Sequence, residues 1–273
     1  MSVGSYINRS NRSLQVYAIV FLVFLYAPVL LLPLFSFNPT IYIAFPIQGF
    51  TTKWYVQLSH SEPMWAALMN SVKVGTSVAV ISTVLGIFAA RAITRFRLPG
   101  RAPVVGFIML PLVIPGIIFG VALLILMSRL GIPLSLYSVS VGHLIICLPF
   151  SVATLIPRFE GFDASIEEAS ADLGENMWWT FWRVTLPIVY PGVVASLLLT
   201  FTISFDEFIM AFFLSGTDPT LPIFIWSQLR FPQFLPSVLA LSTFILLGSF
   251  AIVFLGQWIG RLDRLGKRDG VGI

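Results

Sequence analysis

Glu168-Ala169-Ser170-Ala171-Asp172-Leu173-Gly174, followed after nine residues by Val184-Thr185-Leu186-Pro187, lies in a polar stretch between very apolar runs. Between Arg158 and Pro187 the composition changes abruptly, and Glu160, Asp163, Glu167, Glu168, Asp172 and Glu175 supply six of the chain's twelve acidic residues. Ser165 followed three residues later by Glu168 has the spacing of a capping box, in which hydroxyl and carboxylate satisfy free backbone donors at a helix start. A short helix is expected to begin there. Gly174 is placed to end it as a left-handed C-terminal cap after about two turns. Ile166, Ala169 and Leu173 fall on one face by helical spacing, and the small Ala169 and Ser170 keep the surface low enough for another protein to approach. Asn176 is placed to cap a second helix through Met177, Trp178, Trp179, Phe181 and Trp182, whose aromatics suit a membrane interface. Pro187 and Pro191 then turn the chain into the next apolar run.

The surroundings of this stretch set the class. The 273 residues are 57% hydrophobic and 10% charged, with a mean hydropathy of +0.93, so the chain must use lipid as solvent. Crossing roughly 30 Å of hydrocarbon takes about 20 apolar residues in a helix. Six runs qualify: Leu14 to Phe37, Ala66 to Ala90, Val104 to Met127, Leu134 to Pro157, Val193 to Leu214 and Val238 to Ile259. The expected organisation is one transmembrane domain over 1–273, with a cytoplasmic loop at about 158–187. Arg9 and Arg12 before the first run resemble the start of a secretory signal peptide, but the run is too long and ends at Ser36-Phe37-Asn38-Pro39 without a small-residue cleavage site. An anchoring helix is expected instead.

The net charge of +4 does not indicate nucleic acid, because the basic residues sort by loop. Arg9, Arg12, Arg91, Arg95, Arg97, Arg101, Arg158, Arg183, Arg261, Arg264, Lys267 and Arg268 fall on one side, twelve of the sixteen, against Lys53, Lys73, Arg129 and Arg230 on the other. The positive-inside rule puts the first group, both termini and the 158–187 loop in the cytoplasm.

Asp206 and Glu207, in Thr202-Ile203-Ser204-Phe205-Asp206-Glu207-Phe208, place two carboxylates inside the fifth run. Each acid near the bilayer centre costs about 2.5 to 3.5 kcal/mol, against about 0.3 to 0.6 returned by each large apolar residue. The pair should lie about 10 Å below the outer surface at 1.5 Å rise per residue. Two roles are compatible with the sequence: a place on a translocation path, since intramembrane acids usually face cavities, or capping and hydrogen bonding that fix the packing.

The residues quoted at 168–187 resemble the cytoplasmic coupling loop of binding-protein-dependent ABC importer permeases, whose signature is Glu-Ala-Ala, three residues, Gly, nine residues, Ile-x-Leu-Pro. Here Ser170 replaces the second Ala and Val184 the Ile. The stretch from Ser204 to Phe208, continued by Ala211 to Gly216, Leu221-Pro222 and Ile225 to Phe231, is similar to the spermidine and putrescine subfamily. The resemblance implies an all-α membrane protein with six transmembrane helices, of the type I, MetI-like architecture, in a bacterial inner membrane. It implies as partners a second homologous permease, two ATPase subunits and a periplasmic substrate-binding protein, besides lipid and without nucleic acid. Glu168, Ala169, Ser170, Gly174, Leu186 and Pro187 then belong to the ATPase-coupling loop. The chain has no phosphate-binding G-x-x-x-x-G-K-[ST] loop, so ATP and magnesium would be held by the partner and no cofactor by this chain.

Other classes remain to be weighed. A permease for another small solute, of amino-acid-derivative, opine, iron or thiamine type, shares much of the same sequence. A secondary transporter should show internal repeats and discontinuous helix pairs, and no repeat stands out. An intramembrane enzyme needs a nucleophile and base or metal ligands at depth, and the spacing of Ser204, Asp206 and His143 does not demand a triad. His60 and His143 are too isolated for a metal site, and the single Cys147 reads as a small core residue with no disulfide partner in the chain. Pro111, Pro115, Gly116 and Gly120 break the third run, as a kink on the pathway or as small-residue packing. The connection from Asn38 to Trp65 reads as an interfacial segment, with Trp54 and Tyr55 at the headgroups.

Overall fold

The computed structural model describes residues 12–96 and 100–250. Arg9, Arg97, the basic cluster from Arg261 to Arg268 and the last part of the sixth apolar run lie outside them. Every regular element among the described residues is helical. In chain order they are α1 (Arg12–Ser36), α2 (Lys53–Ser59), α3 (Glu62–Arg95), α4 (Arg101–Met109), α5 (Gly116–Arg129), α6 (Leu136–Glu160), α7 (Ala164–Asp172), α8 (Met177–Thr180), α9 (Leu186–Asp206), α10 (Ile209–Leu214), α11 (Leu221–Leu229) and α12 (residues 235–250). Among the described residues, five stretches are long and apolar enough to cross a membrane, or six if the bent pair Arg101–Leu112 and Gly116–Arg129 counts as one span.

Two compact units divide the chain, one within Met1–Ser61 and Ser227–Ile273 and the other Glu62–Trp226. In the first, α2 pins the connection that follows α1. The Trp54 indole N–H donates to the Asn38 carbonyl at 2.7 Å, Lys53 Nζ donates to the Pro39 carbonyl at 2.8 Å, and the hydroxyls of Ser36 and Tyr55 are 2.6 Å apart. Trp54 is therefore buried, a structural pin rather than the headgroup anchor its composition predicts. Along α1, from Leu14 on, nearly all side chains are exposed, as befits a helix whose apolar surface meets lipid or another chain.

The second unit is built on α3, α6 and α9, which pack against one another along their lengths. Lipid tails are as apolar as leucine, so helix pairs in a bilayer gain by close approach and interhelical hydrogen bonds rather than by hydrophobicity. The sequence supplies both. Gly192, Ser196, Thr200 and Ser204 recur every fourth residue and are all buried on α9. Ser196 joins the hydroxyls of Thr83 on α3 at 3.0 Å and Ser151 on α6 at 2.8 Å. One step further along, His143 Nδ1 meets Ser204 Oγ at 2.9 Å and the Cys147 thiol points to the Thr200 carbonyl. A Cβ on Gly86 would run into the Ser151 side chain, and one on Gly75 would lie 3.1 Å from the Phe201 ring, so glycine sets how closely α3 approaches its two neighbours.

The third apolar run is not a straight span. Its halves α4 and α5 meet at 94°, because Pro111 and Pro115 each lack a backbone donor and residues 113–115 leave the helix. Alone, α5 reaches about 21 Å at 1.5 Å per residue, short of the hydrocarbon thickness. The fifth run likewise differs from the expected Val193 to Leu214: the helical stretch is Met177–Asp206, and the chain breaks at residues 207–208 before α10.

Candidate functional site

The loop at 158–187 folds as a helix-cap-helix unit. Asp163, not Ser165, caps α7, accepting the Ser165 N–H at 3.0 Å, so the cap lies two residues before the predicted one. Phe162, buried just upstream, fixes the earlier start. That hydrogen bond, and a second with the Ser165 side chain, hold the Asp163 carboxyl below its ordinary value of 3.8. At the other end Gly174 takes φ +88°. Its N–H bonds to the Ala171 carbonyl at 2.9 Å and the Glu175 N–H to Ser170 at 3.2 Å, the paired pattern of a Schellman cap. Asn176 then caps α8, accepting from Trp178 and Trp179 at 3.1 and 3.0 Å, as its position predicted.

The residues of the signature divide into two faces. Glu168, Ala169, Leu173 and Gly174 are exposed, with Leu173 87% accessible, and Met177 and Trp178 continue that surface. Ser170 points the other way: it is buried, and its hydroxyl lies 3.0 Å from that of Thr180, clasping α7 to α8. Its small size serves internal packing, not the outer surface to which the sequence assigned it. Between α8 and α9 the chain makes one wide π-turn over Phe181–Thr185. Leu186 packs against the buried cluster that includes Leu155, Phe159 and Val189, and Pro187, which has no N–H to donate, stands two residues after the π-turn.

Glu167, which sequence analysis did not single out, is the most connected residue of the unit. Its carboxylate lies 3.5 Å from Arg91 and 3.4 Å from Arg95, both near the C-terminal end of α3, and accepts the Thr185 hydroxyl. All three charged side chains are more than four-fifths buried. The guanidiniums are further held over Phe181 and Phe162, at 4.8 and 4.6 Å. Arg91 and Arg95, four apart on one face, with Glu167 in the acidic loop, were the available signal. At the periphery Arg101 pairs with Glu160 and Arg183 with Glu175, both half-exposed or more on the arginine side.

Asp206 and Glu207 occupy the helix break. Asp206 is the last residue of α9 and is exposed. Glu207 turns back, and its Oε1 accepts the N–H groups of Ile209 at 2.8 Å and Met210 at 3.2 Å. It therefore caps α10, where the positive end of the helix dipole favours a carboxylate. α10 is wedged against α5 and α6 through glycines: a Cβ on Gly116 would meet Ile209 at 3.2 Å, on Gly120 Phe213 at 2.6 Å, and on Gly142 Leu214 at 2.7 Å. This contact brings the break at 207–208 beside the break at 113–115. Two interrupted helices thus start side by side at the level of Asp206. Among the described residues no group of His, Cys, Asp and Glu could hold a metal ion.

Three comparisons bear on this geometry. The profile of a family described as binding-protein-dependent transport system inner membrane component matches residues 82–263. The spermidine/putrescine transport system permease protein PotC of Escherichia coli (strain K12) is 34% identical over 249 residues, covering 91% of this chain and 94% of that protein. The putrescine transport system permease protein PotI of the same organism is 33% identical over 256 residues, covering 90% of each. A probable molybdenum ABC transporter permease protein of Haloferax volcanii is 33% identical over 174 residues, 61% of this chain and 65% of that one. Among solved structures, a chain in the crystal structure of a bacterial ABC transporter that imports the acidic polysaccharide alginate superposes with a TM-score of 0.68, at 17% identity and over 94% of this chain and 98% of that one.

Proposed function

The chain belongs to the family of binding-protein-dependent transport system inner membrane components, and from that premise we propose that it forms half of an import path for polyamines driven by a partner ATPase. It is homologous to polyamine ABC permeases over most of its length, so its work is transport and not covalent chemistry. The observation that carries the substrate reading is the near full-length likeness to permeases of one cationic solute class, joined to an exposed Asp206 at an intramembrane break. A carboxylate in a low-dielectric cavity attracts an amine more strongly than it would in water. Because Glu207 is committed to capping α10, Asp206 is the better placed of the pair to meet solute.

The exposed face of α7, with Glu168 and Ala169 and the Gly174 cap at its end, is the contact for the ATPase, while Ser170, Leu186 and Pro187 hold that face in place. ATP and magnesium belong to that partner. A second homologous permease completes the path and a periplasmic binding protein delivers solute to its outer side. Both termini and α7 face the cytoplasm, a reading that the distribution of arginines supports.

A reconstituted complex of these subunits should take up putrescine or spermidine on ATP hydrolysis, and Asp206→Asn should slow uptake while leaving assembly intact. Parental uptake by that variant would remove Asp206 from the path. The permease of a molybdenum transporter at comparable identity favours one second reading, a small anion such as molybdate. Uptake of molybdate without uptake of either polyamine would replace the first reading by the second.

A further inference from the structure

We propose that Glu167 is the strut through which displacement of α7 reaches the membrane-spanning helices, a role that rests on the reading of α7 as the ATPase contact. The other side-chain hydrogen bonds of α7 stay local: Asp163 bonds to the first turn and Ser170 to Thr180 on α8. The contacts of Glu167 reach further: its carboxylate forms ion pairs with Arg91 and Arg95 on α3 and accepts a hydrogen bond from the Thr185 hydroxyl at the start of α9, and α3 and α9 are two of the three helices that make the core of this unit.

The construction is stiffer than an ordinary ion pair. Exposed salt bridges contribute little, because long side chains must be immobilised to form them and solvent screens the charges. Here the immobilisation is already achieved by other contacts. Arg91 lies over Phe181, which is buried, and Arg95 lies over Phe162 and also donates to its carbonyl at 3.1 Å. Phe162 lies just before the Asp163 cap of α7 and Phe181 directly follows α8, so each guanidinium is gripped by the loop from two sides. Glu167 pairs its charge with two arginines of α3 and accepts the Thr185 hydroxyl at the start of α9, and so ties two helices together. Pushing on α7 therefore loads α3 and α9 in the same movement.

Glu167→Gln removes the charge while keeping an acceptor oxygen for the Thr185 hydroxyl, so the seat of α7 survives and the link to α3 is cut. The complete importer, reconstituted with its second permease, ATPase and binding protein, is assayed for ATP hydrolysed per solute imported. The expected result is an assembled complex in which that ratio rises at least about fivefold, the low end of coupling free energies between distant sites. The exchange Glu167→Lys/Arg95→Glu, which keeps one negative and two positive groups in the cluster, should bring the ratio back to within about twofold of the parent. A merely structural role would lower the yield of complex without moving the ratio. An assembled Glu167→Gln complex with the parental ratio overturns the strut. If Glu167→Gln prevents assembly, the exchange decides: assembly with the parental ratio supports the strut, and any other result overturns it. Crosslinking from Ala169→Cys in a Cys147→Ser background separates this inference from the reading beneath it. A parental ratio with the crosslink to the ATPase present sinks the strut alone, whereas absence of the crosslink sinks the docking assignment itself.

Discussion

Gly174 offers a quantitative test of why the loop at 158–187 needs glycine. Its φ of +88° is a conformation that places a Cβ against the backbone, costing about 1 to 2 kcal/mol for an L residue. Among the described residues nothing lies within 4 Å of the position a Cβ would take, so side-chain size within this unit adds no further cost. Replacement by alanine should therefore reduce the ratio of capped to uncapped loop by about 5- to 30-fold, loosening the Schellman bonds to Ala171 and Ser170. Asparagine tolerates the left-handed region better than alanine does, and a β-branched residue tolerates it worst. Backbone strain thus predicts the order Gly, Asn, Ala, Val for uptake coupled to ATP hydrolysis.

Crowding by a docked ATPase predicts a different order. There the smaller alanine would outperform asparagine, since only volume counts. Gly174→Asp adds one further separation, because it matches asparagine in shape but sets a negative charge at the carbonyl end of α7, where the helix dipole disfavours it. It should couple less well than Gly174→Asn. The assay is solute uptake and ATP hydrolysis in proteoliposomes, with the amount of ATPase bound measured in parallel. Alanine exceeding asparagine, or valine matching glycine, would refute the strain argument.

Glu207→Gln keeps an acceptor for the Ile209 and Met210 donors and should leave assembly unchanged, whereas Glu207→Ala loses the cap at about 0.5 to 2 kcal/mol and should lower the thermal midpoint of the assembled complex; equal midpoints for the two variants would argue against the cap. Cysteines introduced at Ser61 and Thr217 in a Cys147→Ser background should react with an impermeant thiol reagent from outside, and one at Asp172 only from inside; the reverse pattern would invert the topology and remove α7 from the cytoplasm. Asp163 has a folded pKa held below its ordinary value, so its cap contributes above that ordinary value and is lost as pH falls through the depressed one. Asp163→Asn keeps the acceptor but cannot titrate, and proteolytic cleavage within α7 should become less dependent on pH in the acid range; an unchanged pH profile would show that the cap does not govern the start of the helix.

Features decided by spacing along the chain were legible in the sequence, and those decided by contacts across it were not. The apolar runs, the Gly174 cap and the Asn176 cap follow from local rules, since each depends on a few consecutive residues. The start of α7 does not. Asp163 and Ser165 are both good capping residues, and the Glu168 spacing favours Ser165; the choice falls to Asp163 because Phe162 must enter the interior and Glu167 must reach two arginines some seventy residues earlier in sequence. Ser170 was misassigned to the outer face for the same reason, as its partner Thr180 lies on the next helix. In the third run, prolines 111 and 115 announce a break, but its 94° angle depends on what the two halves pack against. There Gly116 and Gly120 receive Ile209 and Phe213 from a helix almost a hundred residues away.

The acid pair shows how the chain accommodates two adjacent carboxylates between apolar helices. Two carboxylates in an unbroken helix would each demand compensation from apolar neighbours. Ending α9 at Asp206 changes the terms, because the first turn of α10 then exposes backbone donors that Glu207 can satisfy. One carboxylate is thereby stabilised as part of the backbone's own hydrogen bonding, and the break that this requires leaves Asp206 exposed at a helix end, not buried in a helix wall. The glycines of α5 and α6 complete the arrangement by letting α10 seat deeply enough to hold the break in register with the one before α5. The same interruption therefore makes the charge tolerable and displays it, so neither acid can be exchanged for the other: a charge at 206 without the cap at 207 would sit in an unsupported gap, and the cap without Asp206 would leave the gap uncharged.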